Sequence, residues 1–214
     1  MTRIKICGIT SWEDAQAAVE LSADALGFIF AESPRRIQPD DARRIIERLP
    51  PFVTTVAVFV DEQLEVMKNC LNQTGCTAVQ LHGQEPPFCI PSLSGWKVIK
   101  AVRVRTAADL DSLVPYGEAH AFLLDTYVPG KPGGTGVPFD WNVLTTAKLK
   151  RPVILAGGLT PDNLATALTT VRPHAVDVVS GVESSPGKKD RDKMRRFIQI
   201  VRAFDAAHVM EARS

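Results

Sequence analysis

Two side chains that can move protons stand at the ends of short apolar segments. Cys7 closes the run Ile4–Cys7, and Asp125 follows Ala121–Leu124. A thiol becomes a base or nucleophile when nearby cations or amides lower its pKa, and a partly buried carboxyl group can keep its proton near neutrality. The alternatives are that Cys7 is a small buried hydrophobic residue and that Asp125 caps a helix or loop. Gly8 leaves the sulfur open to a cavity mouth, so we favour acid–base chemistry for the pair.

Two adjacent arginines are candidates for holding an anionic group of a substrate. Arg35 and Arg36 follow a Ser-Pro pair. The planar guanidinium group forms paired hydrogen bonds with carboxylates and phosphates. The alternative is that one of the two forms a surface ion pair with Asp40 or Asp41.

Two glycine-containing turns predict a phosphate site. These are Gly157-Gly158 and Ser180-Gly181, and each follows an apolar run. Bare glycine lets phosphate oxygens approach backbone N–H groups, and a following helix adds partial positive charge. A nucleotide P-loop is excluded, because five residues separate Gly181 from Gly187 where four are required, and Lys189 stands where Ser or Thr is needed.

Two further polar residues are candidates for contacting a substrate. His82 follows Val79–Leu81, where it either orients a substrate or has a structural role. Asp177 lies within Ala175–Val179, where it is either structural or substrate-orienting. Neither the histidines nor the cysteines have metal-ligand spacing, so we predict four free thiols and no metal.

Eight apolar segments alternate with segments of helical periodicity, which predicts a single (β/α)8 barrel with a closed parallel sheet over residues 1–214. In such a barrel, functional residues gather at the carboxyl ends of the strands. A doubly wound open sheet is the structural alternative. We interpret Tyr127–Pro138, which is rich in Gly and Pro, as a mobile loop over the site. The predicted strands are Ile4–Cys7, Ala25–Phe30, Val53–Val60, Ala78–Leu81, Trp96–Val102, Ala121–Leu124, Pro152–Ala156 and Ala175–Val179. The predicted helices are Asp14–Leu21, Pro39–Leu49, Glu62–Leu71, Ala107–Leu113, Asp140–Lys148 and Pro161–Thr169.

Charge and hydropathy exclude several other classes of function. The net charge is +1 over 214 residues, which gives no overall field for nucleic acid. No apolar run approaches the roughly 20 residues that span a bilayer, and the start lacks the pattern of a secretory signal. We therefore expect a cytoplasmic protein without membrane or nucleic-acid partners. The basic run Lys188–Arg196 reads as the solvated face of a last helix.

Several motifs occur together in order and in register from residue 3 to about residue 200. Together they resemble the phosphoribosylanthranilate isomerase family of tryptophan biosynthesis. The motifs are Lys5–Thr10, Gly27-Phe28 with Ser33–Arg35, Val79–Gly83, Leu124-Asp125 before Gly133–Gly136, Gly157–Leu159, and Ser180–Glu183 before Pro186–Lys188.

This resemblance implies a cofactor-free Amadori rearrangement of a small phosphorylated substrate. By resemblance, Cys7 is the general base, Asp125 the general acid and Arg35 the carboxylate ligand. The same resemblance implies that the two glycine-containing turns are the phosphate-binding loops. One departure is Val179, where the family pattern leads us to expect a small polar residue.

Other functions remain open at this point. One is a related sugar-phosphate isomerase of histidine biosynthesis, although Cys7 on the first strand disfavours it. The other is a barrel that binds a phosphorylated metabolite without catalysis. For the oligomeric state we expect a monomer or a homodimer.

Overall fold

The structure is a computed structural model that describes residues 1–126, 141–145 and 149–211. The predicted loop Tyr127–Pro138 lies outside the described residues, as do the ends of the predicted helix Asp140–Lys148.

Eight strands form a closed barrel in which each strand pairs with its sequence neighbours and β8 pairs with β1. All of these pairings are parallel. The predicted (β/α)8 barrel is confirmed and the open-sheet alternative is wrong. That one domain spans residues 1–214 stays a prediction. The strands are β1 Arg3–Cys7, β2 Ala25–Ile29, β3 Thr54–Phe59, β4 Ala78–Leu81, β5 Lys97–Val104, β6 Ala121–Thr126, β7 Val153–Ala156 and β8 Ala175–Val178.

Helices connect the strands close to the predicted positions. The α-helices are α1 Trp12–Glu20, α2 Pro39–Ile46, α3 Leu64–Thr74, α4 Cys89–Ser92, α5 Asn142–Thr145, α6 Leu164–Val171 and α7 Arg191–Glu211. The predicted segment Ala107–Leu113 forms a 3₁₀ helix that runs from Ala107 to Tyr116 and contains Pro115. Proline removes a backbone donor, which disfavours regular α-helix there. The helix predicted from Pro161 begins instead at Leu164, after a turn.

The two faces of the strands are buried in different ways. Outward-facing residues such as Ile4, Leu26 and Leu124 pack with the helices in one large apolar cluster. The barrel interior holds a smaller cluster, made of Val56, Ala78, Ile99, Ala101, Leu123, Ile154 and Ala156. Successive residues of a strand alternate between these faces, so residues two apart share a face. A polar residue within an interior row is therefore enclosed by the barrel.

A two-stranded antiparallel hairpin follows β8, with β9 Glu183–Ser185 and β10 Lys188–Lys189. The basic run was predicted to be the solvated face of the last helix, and for Lys189 this prediction is wrong. Its Nζ is fully buried and donates to the carbonyl of Cys7 at 2.6 Å and to Glu183 Oε1 at 3.0 Å. The hairpin turns this lysine towards the barrel before α7 begins.

Within the described parts of the chain, no helix is both long enough and apolar enough to cross a membrane.

The last helix is joined to the first residues of the chain. The backbone N–H of Thr2 donates to both carboxylate oxygens of Asp205 at 2.9 Å, and its hydroxyl donates to Oδ1 at 2.9 Å. Arg202 of the same helix donates to the carbonyl of Thr2 at 2.9 Å. These bonds connect α7 to the entry of β1.

Asp205→Asn is expected to destabilise the protein. The amide nitrogen would face the Thr2 donors, and losing a buried charged hydrogen bond costs about 1–3 kcal/mol. For a chain of this size, each kcal/mol lowers Tm by about 2–4 °C. The matched control is Asp111→Asn at an exposed position. Calorimetry that shows equal Tm values for the two variants would contradict the role of Asp205.

Candidate active site

Cys7 and Lys5 point into the barrel interior because β2 leaves room for them. Cys7 pairs in register with Gly27. A Cβ atom at Gly27 would lie 2.5 Å from Cys7 Sγ and 3.0 Å from Lys5 Cε. Real Cβ atoms do not tolerate the first of these separations. The missing side chain of Gly27 thus makes space for the thiol and the ammonium group.

The Cys7 thiol is buried next to charged side chains. The residue is 3% exposed, and burial raises its pKa above the ordinary value. The charges of Lys5 and Lys189 act in the opposite direction, while Asp177 adds to the increase in pKa. Burial therefore favours the neutral thiol. The two ammonium groups stabilise a thiolate once it forms.

Lys5 is a buried cation held by two strands of the barrel. Its Nζ donates to Gln80 Oε1 at 2.8 Å and to Asp177 Oδ2 at 3.1 Å. Burial acts to lower the pKa of Lys5, but the charges of Asp177 and Cys7 prevail and raise it. Asp177 itself is 5% exposed, and its Oδ1 has no hydrogen-bond partner among the described residues. Asp177 thus lies behind Lys5, and its contact with substrate stays a prediction.

The structure brings the predicted residues His82 and Asp125 together. His82 Nε2 lies 3.2 Å from Asp125 Oδ2, and Gln80 Nε2 lies 2.7 Å from His82 Nδ1. The side chains of His82 and Asp125 are 20% and 23% exposed, so a ligand can reach them. Asp125 lies within β6, one residue before its end, and not after the strand as predicted.

Lys5 and Gln80 are candidate functional residues that were not predicted from the sequence. Each stands two residues before a predicted site residue, Cys7 or His82, in a strand. Residues two apart in a strand share a face, so the spacing of Lys5 from Cys7 and of Gln80 from His82 could have identified both residues from the sequence. Together the side chains form one chain of hydrogen bonds across the barrel, which runs Asp177, Lys5, Gln80, His82 and Asp125.

The turn that carries His82 is held by a buried ion pair. Lys100 Nζ donates to Glu85 Oε2 at 2.7 Å and to the carbonyl of Gly83 at 2.6 Å. The other oxygen of Glu85 accepts the backbone N–H groups of Asp61 and Gly83. A carboxylate and an ammonium group thus hold the backbone directly after His82.

Arg35 is engaged by a carboxylate from the hairpin. Its Nε and Nη2 donate to Glu183 at 2.7–3.1 Å, and Lys189 binds the same carboxylate. Burial acts to raise the pKa of Glu183, but hydrogen bonds from Arg35 and the charge of Lys189 lower it. For Arg35, the alternative of a surface pair with Asp40 or Asp41 is wrong. The Nη1 edge of the guanidinium is not used by Glu183, and its binding of a substrate carboxylate stays a prediction.

Arg35 lies beside the turn that follows Cys7. A Cβ atom at Gly8 would lie 3.0 Å from Arg35 Cδ and 3.3 Å from Val179 Cγ1. Gly8 has a φ of +74°, a conformation that glycine adopts readily. The arginine, the thiol and Val179 therefore meet at one part of the barrel mouth, where the departure from the family pattern places an apolar side chain.

The two glycine-containing turns lie against each other at the ends of β7 and β8. A Cβ atom at Gly181 would overlap the carbonyl oxygen of Leu159, so only glycine fits there. Asn163 stabilises the first turn by donating to the carbonyl of Gly158 at 2.9 Å and accepting from Thr160 N at 2.9 Å. Phosphate binding by Gly157, Gly158, Ser180 and Gly181 stays a prediction.

A cavity of about 580 Å³ opens beside His82, between β4, β5 and the 3₁₀ helix. Arg103 and Arg105 contribute positive charge to its wall, and Tyr116 contributes an aromatic ring. Asp61 and Asp109 lie in the same wall, so its charges are mixed. Among the residues that the structure describes, no group of three or more His, Cys, Asp or Glu side chains is arranged to hold a metal ion.

Comparisons with known proteins agree on one family. A family model described as N-(5'-phosphoribosyl)anthranilate isomerase matches residues 4–200. An isomerase of that name from Moorella thermoacetica is 49% identical over 210 residues, covering 98% of this chain and 93% of the relative. The crystal structure of phosphoribosyl anthranilate isomerase from Thermotoga maritima shares 46% identity with a TM-score of 0.90, covering 95% of this chain and all of the other.

A second solved structure of such an isomerase is described as a complex with reduced 1-(o-carboxyphenylamino)-1-deoxyribulose 5-phosphate. It is 44% identical, with a TM-score of 0.86, and covers 95% of this chain and all of the other.

Alkylation is expected to report the raised pKa of the Cys7 thiol. Iodoacetamide should modify Cys7 slowly at pH 7, and the rate should keep rising beyond pH 9, because only the thiolate reacts. Peptide-level mass spectrometry gives the rate for each cysteine. Protein unfolded in urea is the control and should follow the ordinary thiol value of about 8.5. A rate for Cys7 that levels off below that value would contradict the expectation.

Proposed function

The chain belongs to the N-(5'-phosphoribosyl)anthranilate isomerase family, and we propose that it converts N-(5'-phosphoribosyl)anthranilate into 1-(2-carboxyphenylamino)-1-deoxyribulose 5-phosphate. The observation that carries the proposal is that a buried thiol, Cys7, lies beside Lys5, from which one interior hydrogen-bond chain runs to a ligand-accessible carboxyl group, Asp125. The family match favours this reaction over the sugar-phosphate isomerase of histidine biosynthesis and over a non-catalytic barrel.

Asp125 supplies the acid for the first step. It protonates the furanose ring oxygen while the bond from that oxygen to C1' breaks, which leaves a Schiff base between C1' and the anthranilate nitrogen. Its position at the end of β6, next to His82 and partly exposed, supports this role. Proton transfer by a positioned acid needs hydrogen-bond reach to the reacting oxygen.

Cys7 supplies the base for the second step. As thiolate it removes the proton from C2', and the electrons move to the nitrogen to give an enolamine. The enolamine then becomes the ketone when C1' gains a proton and the C2' hydroxyl loses one. Lys5 and Lys189 both act to lower the pKa of Cys7, which supports thiolate formation inside the barrel.

Two anionic ends of the substrate are held away from the reacting carbons. We assign the anthranilate carboxylate to Arg35 and the phosphate to Gly157, Gly158, Ser180 and Gly181. The contact between the two turns, where only glycine fits at Gly181, supports an anion-binding site. Binding energy at remote groups aligns C1' and C2' between acid and base. His82 and Asp177 remain proposed as groups that orient the substrate.

The predicted partner is this small phosphorylated substrate, and the solved relative bound to a reduced product supports it. We retain the predictions of a cytoplasmic monomer or homodimer that binds neither nucleic acid nor membrane. Analytical ultracentrifugation distinguishes monomer from dimer.

Chelator-treated protein is expected to turn over phosphoribosylanthranilate generated in the assay, followed by the loss of anthranilate-type fluorescence. Cys7→Ala and Asp125→Asn should each lower kcat by about 10²–10⁴-fold, because each side chain transfers a proton in the transition state. Circular dichroism checks that the variants fold. Absence of turnover by the unaltered protein would overturn the proposed function, and near-normal kcat in a folded variant would remove that residue from the mechanism.

Arg35→Ala is expected to raise KM about 10–100-fold with a smaller effect on kcat, because a charged hydrogen bond to the substrate carboxylate is lost. Glu183 keeps Lys189 as a partner in this variant. The matched control is Arg36→Ala, since Arg36 is the exposed neighbour. Equal KM values for the two variants would refute the assignment.

A further inference from the structure

Lys5, near one end of the hydrogen-bond chain across the barrel, determines which groups in the chain donate and which accept. An ammonium group only donates hydrogen bonds. Lys5 Nζ lies 2.8 Å from the Gln80 side chain, so the Gln80 atom that faces it is the accepting oxygen. The Gln80 amide nitrogen, which only donates, then faces His82 Nδ1 at 2.7 Å.

This direction determines the protonation state of the imidazole ring. His82 Nδ1 must present a lone pair to the Gln80 N–H group, so the single hydrogen of the neutral ring is on Nε2. An imidazolium ring would place an N–H against another N–H across 2.7 Å. The arrangement therefore disfavours the charged form.

The hydrogen on Nε2 in turn decides which oxygen of Asp125 can carry a proton. His82 Nε2 lies 3.2 Å from Asp125 Oδ2. When this N–H donates to Oδ2, a proton held by Asp125 must sit on Oδ1. A ring without a hydrogen on Nε2 would instead accept the proton of Asp125.

Other charged groups surround His82 as well, and none of them interrupts this chain. Glu85 is neutralised by Lys100, and it binds the backbone after His82. The cavity beside His82 is lined by the ionisable groups Asp61, Lys100, Arg103, Arg105, Asp109 and Tyr116. This wall carries both signs of charge, so the assignment of the ring rests on the hydrogen-bond direction set by Lys5 and Gln80.

We propose that Lys5 and Gln80 are positioning residues that hold His82 as the neutral ring with hydrogen on Nε2, so that Asp125 carries its acidic proton on Oδ1. This role rests on the proposed function, in which Asp125 is the general acid. Lys5 thereby serves both reacting groups, since it stands beside Cys7 and also sets the direction of the chain to Asp125.

The first test reads the imidazole ring directly and needs no activity. Long-range ¹H–¹⁵N NMR of histidine-labelled protein distinguishes the two neutral forms and the imidazolium. The expected result is the neutral form with hydrogen on Nε2 at pH 7. A His82 ring that carries hydrogen on Nδ1 at pH 7, or that is charged there, overturns the proposal.

Gln80→Glu is the variant that reverses the direction of the hydrogen bond between residue 80 and His82 Nδ1. A carboxylate accepts from Lys5 with one oxygen and from His82 Nδ1 with the other, so the ring carries hydrogen on Nδ1 and is an imidazolium whenever Nε2 also donates to Asp125. A cation at this distance favours the ionised form of a carboxylic acid, so it opposes proton donation by Asp125 and slows that step about tenfold or more. We expect kcat/KM to fall by that factor, and its decline on the alkaline side to move to lower pH. The matched control is Gln199→Glu, at an exposed position of α7.

The outcomes distinguish the positioning role of Lys5 and Gln80 from the proposed function. An unshifted pH profile in folded Gln80→Glu, with the NMR signal of an imidazolium, contradicts the link from His82 to Asp125. If Gln80→Glu does not fold, His82→Gln replaces it as the test, because its amide can still donate to Asp125. This variant should retain clearly more kcat than His82→Ala, and equal kcat values overturn the link. Failure of the unaltered protein to turn over substrate instead removes the proposed function and leaves the NMR result standing.

Discussion

The interior of this barrel is organised by one buried cation, the ammonium group of Lys5. A charge that is 4% exposed needs partners, because removing one partner of a buried pair costs about 3–5 kcal/mol. Asp177 on β8 neutralises Lys5, and Gln80 on β4 accepts its second hydrogen bond. Gly27 on β2 supplies the space. Four strands are therefore constrained by one side chain of β1.

A second group of buried charges supports the same strand from the barrel mouth. Glu183 binds both Arg35 and Lys189, and Lys189 donates to the carbonyl of Cys7. The end of β1 is thus held between two ammonium groups, one inside the barrel and one from the hairpin. Burial raises the pKa of the Cys7 thiol while both cations act to lower it. Burial thus favours the neutral thiol, and the two cations favour its thiolate.

The closed barrel places the thiol of Cys7 and the carboxyl group of Asp125 on different strands of one site. The thiol belongs to β1 and the carboxyl group to β6. In the proposed function the substrate lies between them, with its anions at Arg35 and at the turns after β7 and β8. The interior hydrogen-bond chain links the surroundings of the base to those of the acid. One neutral ring, His82, separates the buried charges from Asp125. The distribution of protons in the site is thereby set by the scaffold as well as by solvent.

The sequence by itself determined the barrel, the order of its elements and most of the candidate site. Continuous apolar strands alternating with amphipathic helices predict burial on both faces of a parallel sheet. Cys7 and Asp125 stood out because polar groups at strand ends interrupt apolar runs. The sequence pattern gave wrong predictions at two places. Ala107–Tyr116, which contains Pro115, is a 3₁₀ helix, and Lys189, which was predicted to be solvated, is buried by a short hairpin.

Only the tertiary structure decided which polar groups are partners. Lys5 and Gln80 are 75 residues apart, Lys5 and Asp177 are 172 apart, and Arg35 and Glu183 are 148 apart. Periodicity reports whether a side chain faces inwards, but it carries no information about which distant side chain meets it there. Those pairings follow from the register of strands that close into a barrel. The charge, the direction of hydrogen bonding and the protonation of the site all depend on that register.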